Sequence, residues 1–217
     1  MIVLLRFASK PCHLHMKLLI FSDIHAKKSA LEKLMAIDAD YYFADGDLVN
    51  WGRGLDELGP IMQKRADRIY VLPGNHESEA DIAHFCDQYG FHNFHGQSIR
   101  IGQFHVAGLG YSNPTPFNTP GEYAEEELAR RLQPFATLDP LILICHTPPK
   151  GTQLDRAGEG EHFGSTAIRD FIDRHQPRYF YCGHIHEAAG VHETIGRTEA
   201  WNVGPRGQML DLDTLLK

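Results

Sequence analysis

Five short apolar runs constrain this chain more than anything else in it. They are Leu18-Leu19-Ile20-Phe21, Tyr41-Tyr42-Phe43-Ala44, Ile69-Tyr70-Val71-Leu72, Leu141-Ile142-Leu143-Ile144-Cys145 and Tyr179-Phe180-Tyr181-Cys182. A strand with one wet face alternates apolar and polar residues, whereas an unbroken apolar run fits a strand covered on both faces. Such strands require helices outside the sheet, and the segments between the runs supply them. Ala30, Leu31, Leu34 and Ile37 fall at helical spacing, with Ser29 as the expected cap. Further helices are expected over 55–65, from Ser78 onward with Ile82, Ala83, Phe85 and Cys86, over 122–132, and from Ser165 onward with Ile168, Phe171 and Ile172. The run Glu125-Glu126-Glu127 reads as the solvated face of its helix.

Between these units the pattern changes. Ser98-Ile99-Arg100-Ile101 and Phe104-His105-Val106-Ala107, separated by Gly102-Gln103, read as a hairpin that begins a second, largely antiparallel sheet. Pro114, Pro116 and Pro120 make 113–121 a turn-rich loop. The glycine-rich stretch 150–164 reads as a long mobile loop of the functional kind, in which His162 and Arg156 are candidates for substrate contact. The end of the chain, 190–212, returns to short β pieces around Asn202-Val203-Gly204-Pro205.

Each apolar run delivers polar residues as it ends: Asp23 and His25, then Asp47, then Asn75 and His76, then His146, then His184 and His186. In open α/β sheets the carboxyl ends of the strands gather on one edge, so residues far apart in sequence meet there. Oxygen and imidazole donors without thiolate suit divalent ions of borderline or hard character. Composition excludes some alternatives. A net charge of −7 argues against a surface that holds duplex nucleic acid. Cys12, Cys86, Cys145 and Cys182 form no CxxC pair, which fits a reduced, cytoplasmic setting, with Cys145 and Cys182 as small buried residues. The apolar start, Met1 to Phe7, is too short to span a bilayer, so no membrane partner is expected. Residues 1–15 read as a flexible or non-native extension, and 16–217 as a single domain.

Taken in order, Asp23-Ile24-His25, Gly46-Asp47-Leu48-Val49-Asn50, Gly74-Asn75-His76-Glu77, His146 and Gly183-His184-Ile185-His186 resemble the DxH, GDxx(D/N), GNH(D/E), H and GHxH pattern of the calcineurin-like metallophosphoesterase family. The resemblance implies an α/β fold, a four-layer αββα sandwich of two mixed β-sheets flanked by helices. It implies two divalent metal ions per chain, manganese first, with iron, zinc, cobalt or nickel as alternatives. Asp23, His25 and His186 would hold the first ion, Asn75, His146 and His184 the second, and Asp47 would bridge them. The implied reaction is in-line attack on phosphorus by a metal-activated hydroxide. His76 would be the catalytic histidine that holds no metal, with Glu77 as its orienting partner and Asn50 supporting a ligand from behind. Asn202-Val203-Gly204-Pro205 resembles the family's late Asn-x-Gly turn, which packs beside the metals. The expected substrate is a small phosphorylated molecule, a phosphodiester ahead of a monoester. A non-catalytic scaffold of the same fold is the alternative, and a nuclease is disfavoured by the charge.

Overall fold

The computed structural model describes residues 15–212, so the expected N-terminal extension lies, apart from its last residue, outside the described residues. The chain first runs through β1 (Lys17–Phe21), α1 (Lys28–Ala36), β2 (Tyr41–Asp45), α2 (Leu55–Met62), β3 (Ile69–Leu72), α3 (Glu79–Tyr89) and β4 (His92–Asn93). It continues through β5 (Gln97–Ile101), β6 (Phe104–Leu109), α4 (Glu125–Leu132), β7 (Leu141–Cys145), the short pair β8 (Arg156–Ala157) and β9 (Glu161–His162), and α5 (Thr166–His175). The last strands are β10 (Tyr179–Cys182), β11 (His192–Ile195), β12 (Thr198–Asn202) and β13 (Gln208–Asp211).

Two main sheets result, ordered β13-β1-β2-β3-β4 and β11-β12-β10-β7-β6-β5. Every pairing of the first sheet is parallel except β13 with β1. The second sheet departs from the antiparallel expectation. The pairings β6 with β7, β7 with β10 and β10 with β12 are parallel, and only the hairpins β5–β6 and β11–β12 are antiparallel. The reason is connectivity: α4 and α5 lie in crossovers long enough to return the chain in the same direction, and two-residue turns cannot do that.

The apolar runs divide their side chains between two cores. Leu18, Ile20, Phe43 and Leu72 of the first sheet share a buried cluster with Val106, Ile142, Ile144 and Tyr181 of the second. The alternate residues Leu19, Tyr42, Ala44 and Val71 pack outward with Leu31, Leu34, Leu58, Ile82 and Phe85. Leu143, Phe180 and Ala200 do the same with Leu128, Leu132, Ile168 and Ile172 of α4 and α5. Burying a leucine, isoleucine or phenylalanine stabilises by about 1.5–3 kcal/mol, so central strands packed on both faces favour apolar residues at every position. The layers are therefore helix, sheet, sheet, helix.

Helix ends follow the local chemistry in part. Ser78 accepts from Asp81 N–H at 3.1 Å while the Asp81 carboxylate accepts from Ser78 N–H at 2.9 Å, a closed capping box for α3. Ser165 accepts from Ile168 N–H and opens α5. Ser29 does not cap α1: the helix already starts at Lys28, with Lys27 in the cap position and no side-chain bond. The helix expected over 55–65 ends at Met62 and tightens into a 3-10 turn over Gln63–Arg68, two residues after Pro60.

Candidate metal centre

The ends of β1, β2 and β3 on one sheet, and of β7 and β10 on the other, meet along one edge. They bring together all of the residues expected as metal ligands. Asp23, His25 and His186 form one group, Asp47, His146 and His184 another, and His25, Asp47 and His76 a third; within each, one donor atom per residue lies within 4.8 Å of the others. Asp47 Oδ2 stands between the first two groups, 3.8 Å from His25 Nε2 and 3.4 Å from His146 Nε2. Asn75 joins the second group, its Oδ1 lying 2.8 Å from His184 Nδ1 and 3.2 Å from His146 Nε2.

The surrounding hydrogen bonds turn lone pairs inward. His146 Nδ1–H donates to the Asp45 carbonyl at 2.7 Å, which turns Nε2 toward Asp47 and Asn75. His25 Nδ1–H donates to Asn50 Oδ1 at 2.8 Å, so its Nε2 lone pair faces His186 Nε2 at 2.9 Å. Asn75 donates through Nδ2 to Thr119 Oγ1 at 3.1 Å, which fixes its carbonyl oxygen toward the imidazoles. Two imidazole nitrogens aimed at one point, with carboxylates beside them, form a donor set that fits divalent cations.

The electrostatics agree. Burial opposes charge on His146, but the carboxylates of Asp47, Asp23 and Asp45 outweigh it and lift the imidazole to about 10. Burial also opposes charge on Asp47, yet His146 and the His76 backbone N–H hold its carboxyl below the usual range. Burial, with His146 nearby, lowers His184 to about 4, leaving a neutral imidazole. The centre thus concentrates negative charge where positive charge is favoured.

The backbone is held in unusual conformations to achieve this. Asp23 (φ 56°), His25 (φ 46°), Asp47 (φ 51°) and His184 (φ 67°) all occupy the left-handed region. That region costs a non-glycine residue roughly 1–2 kcal/mol, and such strain gathers at functional sites. Glycines provide the remaining close approaches. A Cβ on Gly74 would stand 2.1 Å from Asp47 Oδ1, and one on Gly183 would stand 2.4 Å from Asp23 Oδ2.

Several supporting roles differ from expectation. Glu77 does not orient His76. It is buried, its pKa raised to about 8 by burial and by the Asp47 charge, and it accepts N–H bonds from Asp47 (3.0 Å), Val49 (2.9 Å) and Gly74 (2.9 Å). It thereby ties the GD and GN loops together. His76 itself lines the cleft, its Nδ1 accepting from Trp51 N–H at 3.4 Å. Asn50 supports His25 as expected. Asn202, buried, donates to the carbonyls of Gly183 and Ile185 at 3.0 Å each, so the Asn-x-Gly turn does pack beside the centre.

The stretch 150–164 is not a loose loop. Asp155, buried and wholly missed as a functional residue, accepts from Gly151 N–H (3.1 Å), Thr152 N–H (2.9 Å), Gly164 N–H (3.0 Å) and His162 Nδ1 (2.7 Å). Its place between glycines, where backbone N–H groups are free to converge, was the available signal. His162 lines the cleft. Arg156 does not, and its guanidinium donates to Gln153 at 3.3 Å instead. Glu125 is half-buried rather than solvated, accepting from Ser165 Oγ–H (2.6 Å) and from the backbone N–H groups of Thr166 and Ala167 (3.1 and 2.8 Å) at the start of α5. Cys145 and Cys182 are buried thiols whose pKa burial pushes well up, as expected of packing residues.

Comparison with known proteins bears on this geometry. Residues 16–188 match the model of the calcineurin-like phosphoesterase family. The chain is 30% identical over 199 residues to the uncharacterized protein MJ1162 of Methanocaldococcus jannaschii, covering 88% of this chain and 89% of that one. Among solved structures it resembles TT1561 of Thermus thermophilus, with a TM-score of 0.69 at 19% identity, covering 93% of this chain and 96% of that chain. It also resembles the phosphopantetheinyl hydrolase of Mycobacterium tuberculosis, with a TM-score of 0.64 at 16% identity and coverage of 88% and 89%. At these identities the structural likeness establishes the shared αββα fold.

Proposed function

The chain belongs to the calcineurin-like phosphoesterase family, and from that premise we propose that it is a two-metal phosphoesterase acting on a small phosphodiester. The observation that carries the reading is the pair of donor groups that meet at Asp47. Asp23, His25 and His186 would hold one ion and Asn75, His146 and His184 the other, with Asp47 placed beside both. The bound ions supply Lewis-acid charge for the phosphoryl oxygens and lower the pKa of water. Nitrogen and oxygen donors without thiolate suit borderline or hard divalent ions, and manganese is the one we take first.

The chain's own residues do the rest. Trp51 N–H donates to His76 Nδ1, which puts the imidazole proton on Nε2, the atom free to donate a hydrogen bond to a phosphoryl or leaving oxygen in the cleft and so stabilise its developing charge. Asn50 and the Asp45 carbonyl keep His25 and His146 in the tautomers that bind metal. The cleft extends past the centre to Asn113–Phe117 and His162–Gly164, which leaves room for the organic group of the ester. Cytoplasmic residence is supported by the free, buried Cys86, Cys145 and Cys182.

The test is hydrolysis of a chromogenic phosphodiester beside the matching monoester, using chelated protein reloaded with manganese. Asp47→Ala should abolish turnover and metal retention. His76→Ala should lower the rate by about 10²–10⁴-fold while metal content stays near wild type. Metal loss in His76→Ala would refute its role as a non-ligand, and full metal loading without turnover on any phosphoester would favour the scaffold alternative.

A further inference from the structure

Large apolar side chains exposed among the described residues are Ile37, Trp51, Phe117 and Phe163, and all but Ile37 stand at the cleft. Phe117, 71% exposed, and Phe163, 44% exposed, line its wall directly, whereas Trp51 packs edge-on against His76. The cleft holds about 620 Å³, within the roughly 300–1,000 Å³ of small-molecule sites. Its outer half is built from two segments that are pinned to each other. Asn113 Nδ2 donates to the Phe163 carbonyl at 3.1 Å, while Asn113 Oδ1 accepts from Thr147 Oγ–H at 2.8 Å, beside His146.

We propose that this outer half is a subsite for the organic group of the ester, and that it takes a flat aromatic ring of the nucleobase type against Phe117, Phe163 and His162. The inference rests on the phosphoesterase reading above and names its substrate class. Two exposed phenylalanines on preformed walls offer π faces to a ring, and base–aromatic stacking is sequence-tolerant because every base has such a face. His162 makes the choice between a ring and an acyl chain. Its Nδ1 is held by the buried Asp155 carboxylate at 2.7 Å, so Nε2 is left for a ligand in the cleft. A heterocycle has N–H and lone-pair edges to meet that nitrogen, whereas a hydrocarbon chain would leave it unpaired. Pro114 and Pro116 stiffen the wall that carries Phe117.

The experiment measures equilibrium binding to the manganese-loaded full chain. Its probes are the methyl esters of the 5′-phosphonates of adenosine and of ribose, non-hydrolysable mimics of a diester, with methyl octylphosphonate as a third arm. The adenosine compound should bind more tightly than the ribose compound by roughly 5- to 150-fold, the range that stacking one base provides. Phe163→Leu and Phe117→Leu keep the apolar bulk at exposed positions where folding is not at stake. Each should remove much of that preference while leaving the ribose compound unchanged. Equal binding of the two sugar phosphonates, with their metal-dependent binding intact, overturns the subsite. So does methyl octylphosphonate binding as tightly as the adenosine compound and surviving both leucine variants. Absence of metal-dependent binding of any phosphonate overturns the phosphoesterase reading instead, and the subsite with it.

Discussion

Replacing Asn202 by alanine should loosen the turn that presents His184 and His186. The Asn202 amide donates to the carbonyls of Gly183 (3.0 Å), Ile185 (3.0 Å) and Leu154 (3.3 Å). Gly183 O also accepts from Ile185 N–H, and Ile185 O from Ala188 N–H, so each keeps one partner in the variant. Leu154 O has no other backbone partner among the described turn and loop bonds, and it becomes an unpaired carbonyl in a buried setting. Leaving such a group unsatisfied costs about 1–3 kcal/mol, and each lost secondary bond costs about 0.5 kcal/mol. Against that, Asn202 Oδ1 is itself buried without a partner, and its removal relieves part of the loss. The net expectation is a destabilisation of about 2–3 kcal/mol, or roughly 4–12 °C in melting temperature for a chain of this size. Thermal unfolding of metal-free and manganese-loaded protein, with metal content measured on the same samples, reads both effects. Metal retention should fall with stability, because the turn is what Asn202 holds. Asn202→Asp sharpens the test, since it presents lone pairs to the same carbonyls and should be worse than alanine. A melting temperature within about 1 °C of wild type in the alanine variant, with metal content unchanged, would refute this account.

Two further outcomes are expected. Gly74→Ala would place a Cβ 2.4 Å from Asp47 N as well as 2.1 Å from its Oδ1; overpacking of this kind costs about 1–3 kcal/mol. Bound metal should therefore drop while the circular dichroism of the fold persists, and a variant with full metal content would contradict the steric argument. Burial, with Arg131 adding to it and the Glu79 charge opposing, holds the His95 imidazole down to about 4. The unfolded chain, with a histidine pKa of about 6.5, then binds the proton first as pH falls. Stability should accordingly decline from about pH 6.5 toward pH 4, by up to about 3 kcal/mol from this group. His95→Asn keeps an acceptor for the Gly110 N–H and should flatten that decline in denaturant midpoints measured across the range. Parallel curves for the two proteins would show that His95 is not responsible.

Much of this was legible in the sequence because it depends on local rules. The unbroken apolar runs report burial on both faces, and Ser78 with Asp81 and Ser165 with Ile168 are caps whose partners lie three residues away. The ligand residues were legible through motif order, which states what meets at the strand ends without stating how. What escaped depends on pairing across distance. Glu125 looks like one of three solvated acids until α5 arrives beside it, its Thr166 lying 41 residues on. Glu77 follows His76 directly, yet the turn sends its carboxylate inward to the N–H groups of Asp47 and Val49. The direction of the strands in the second sheet was misread because the hairpin at 98–107 was extended to the whole sheet, although the helices expected over 122–132 and after Ser165 lie in crossovers that return the chain in parallel. The left-handed φ of His25 and His184 is only weakly signalled by residue type, because histidine is enriched in that region yet few histidines occupy it.

The antiparallel pairing of β13 with β1 has a consequence for the order of synthesis. Its register sets Leu18 opposite Leu210, so one edge of the first strand described is closed by the last strand described. At translation rates of about 5–20 residues per second, the interval between the two is on the order of 10–40 s. During that time β1 can pair with β2, which follows closely, while its other edge still presents open N–H and C=O groups to any passing strand. The strand that leads to Asp23 and His25 is therefore sealed late, and its open edge is a place where the growing chain can mispair.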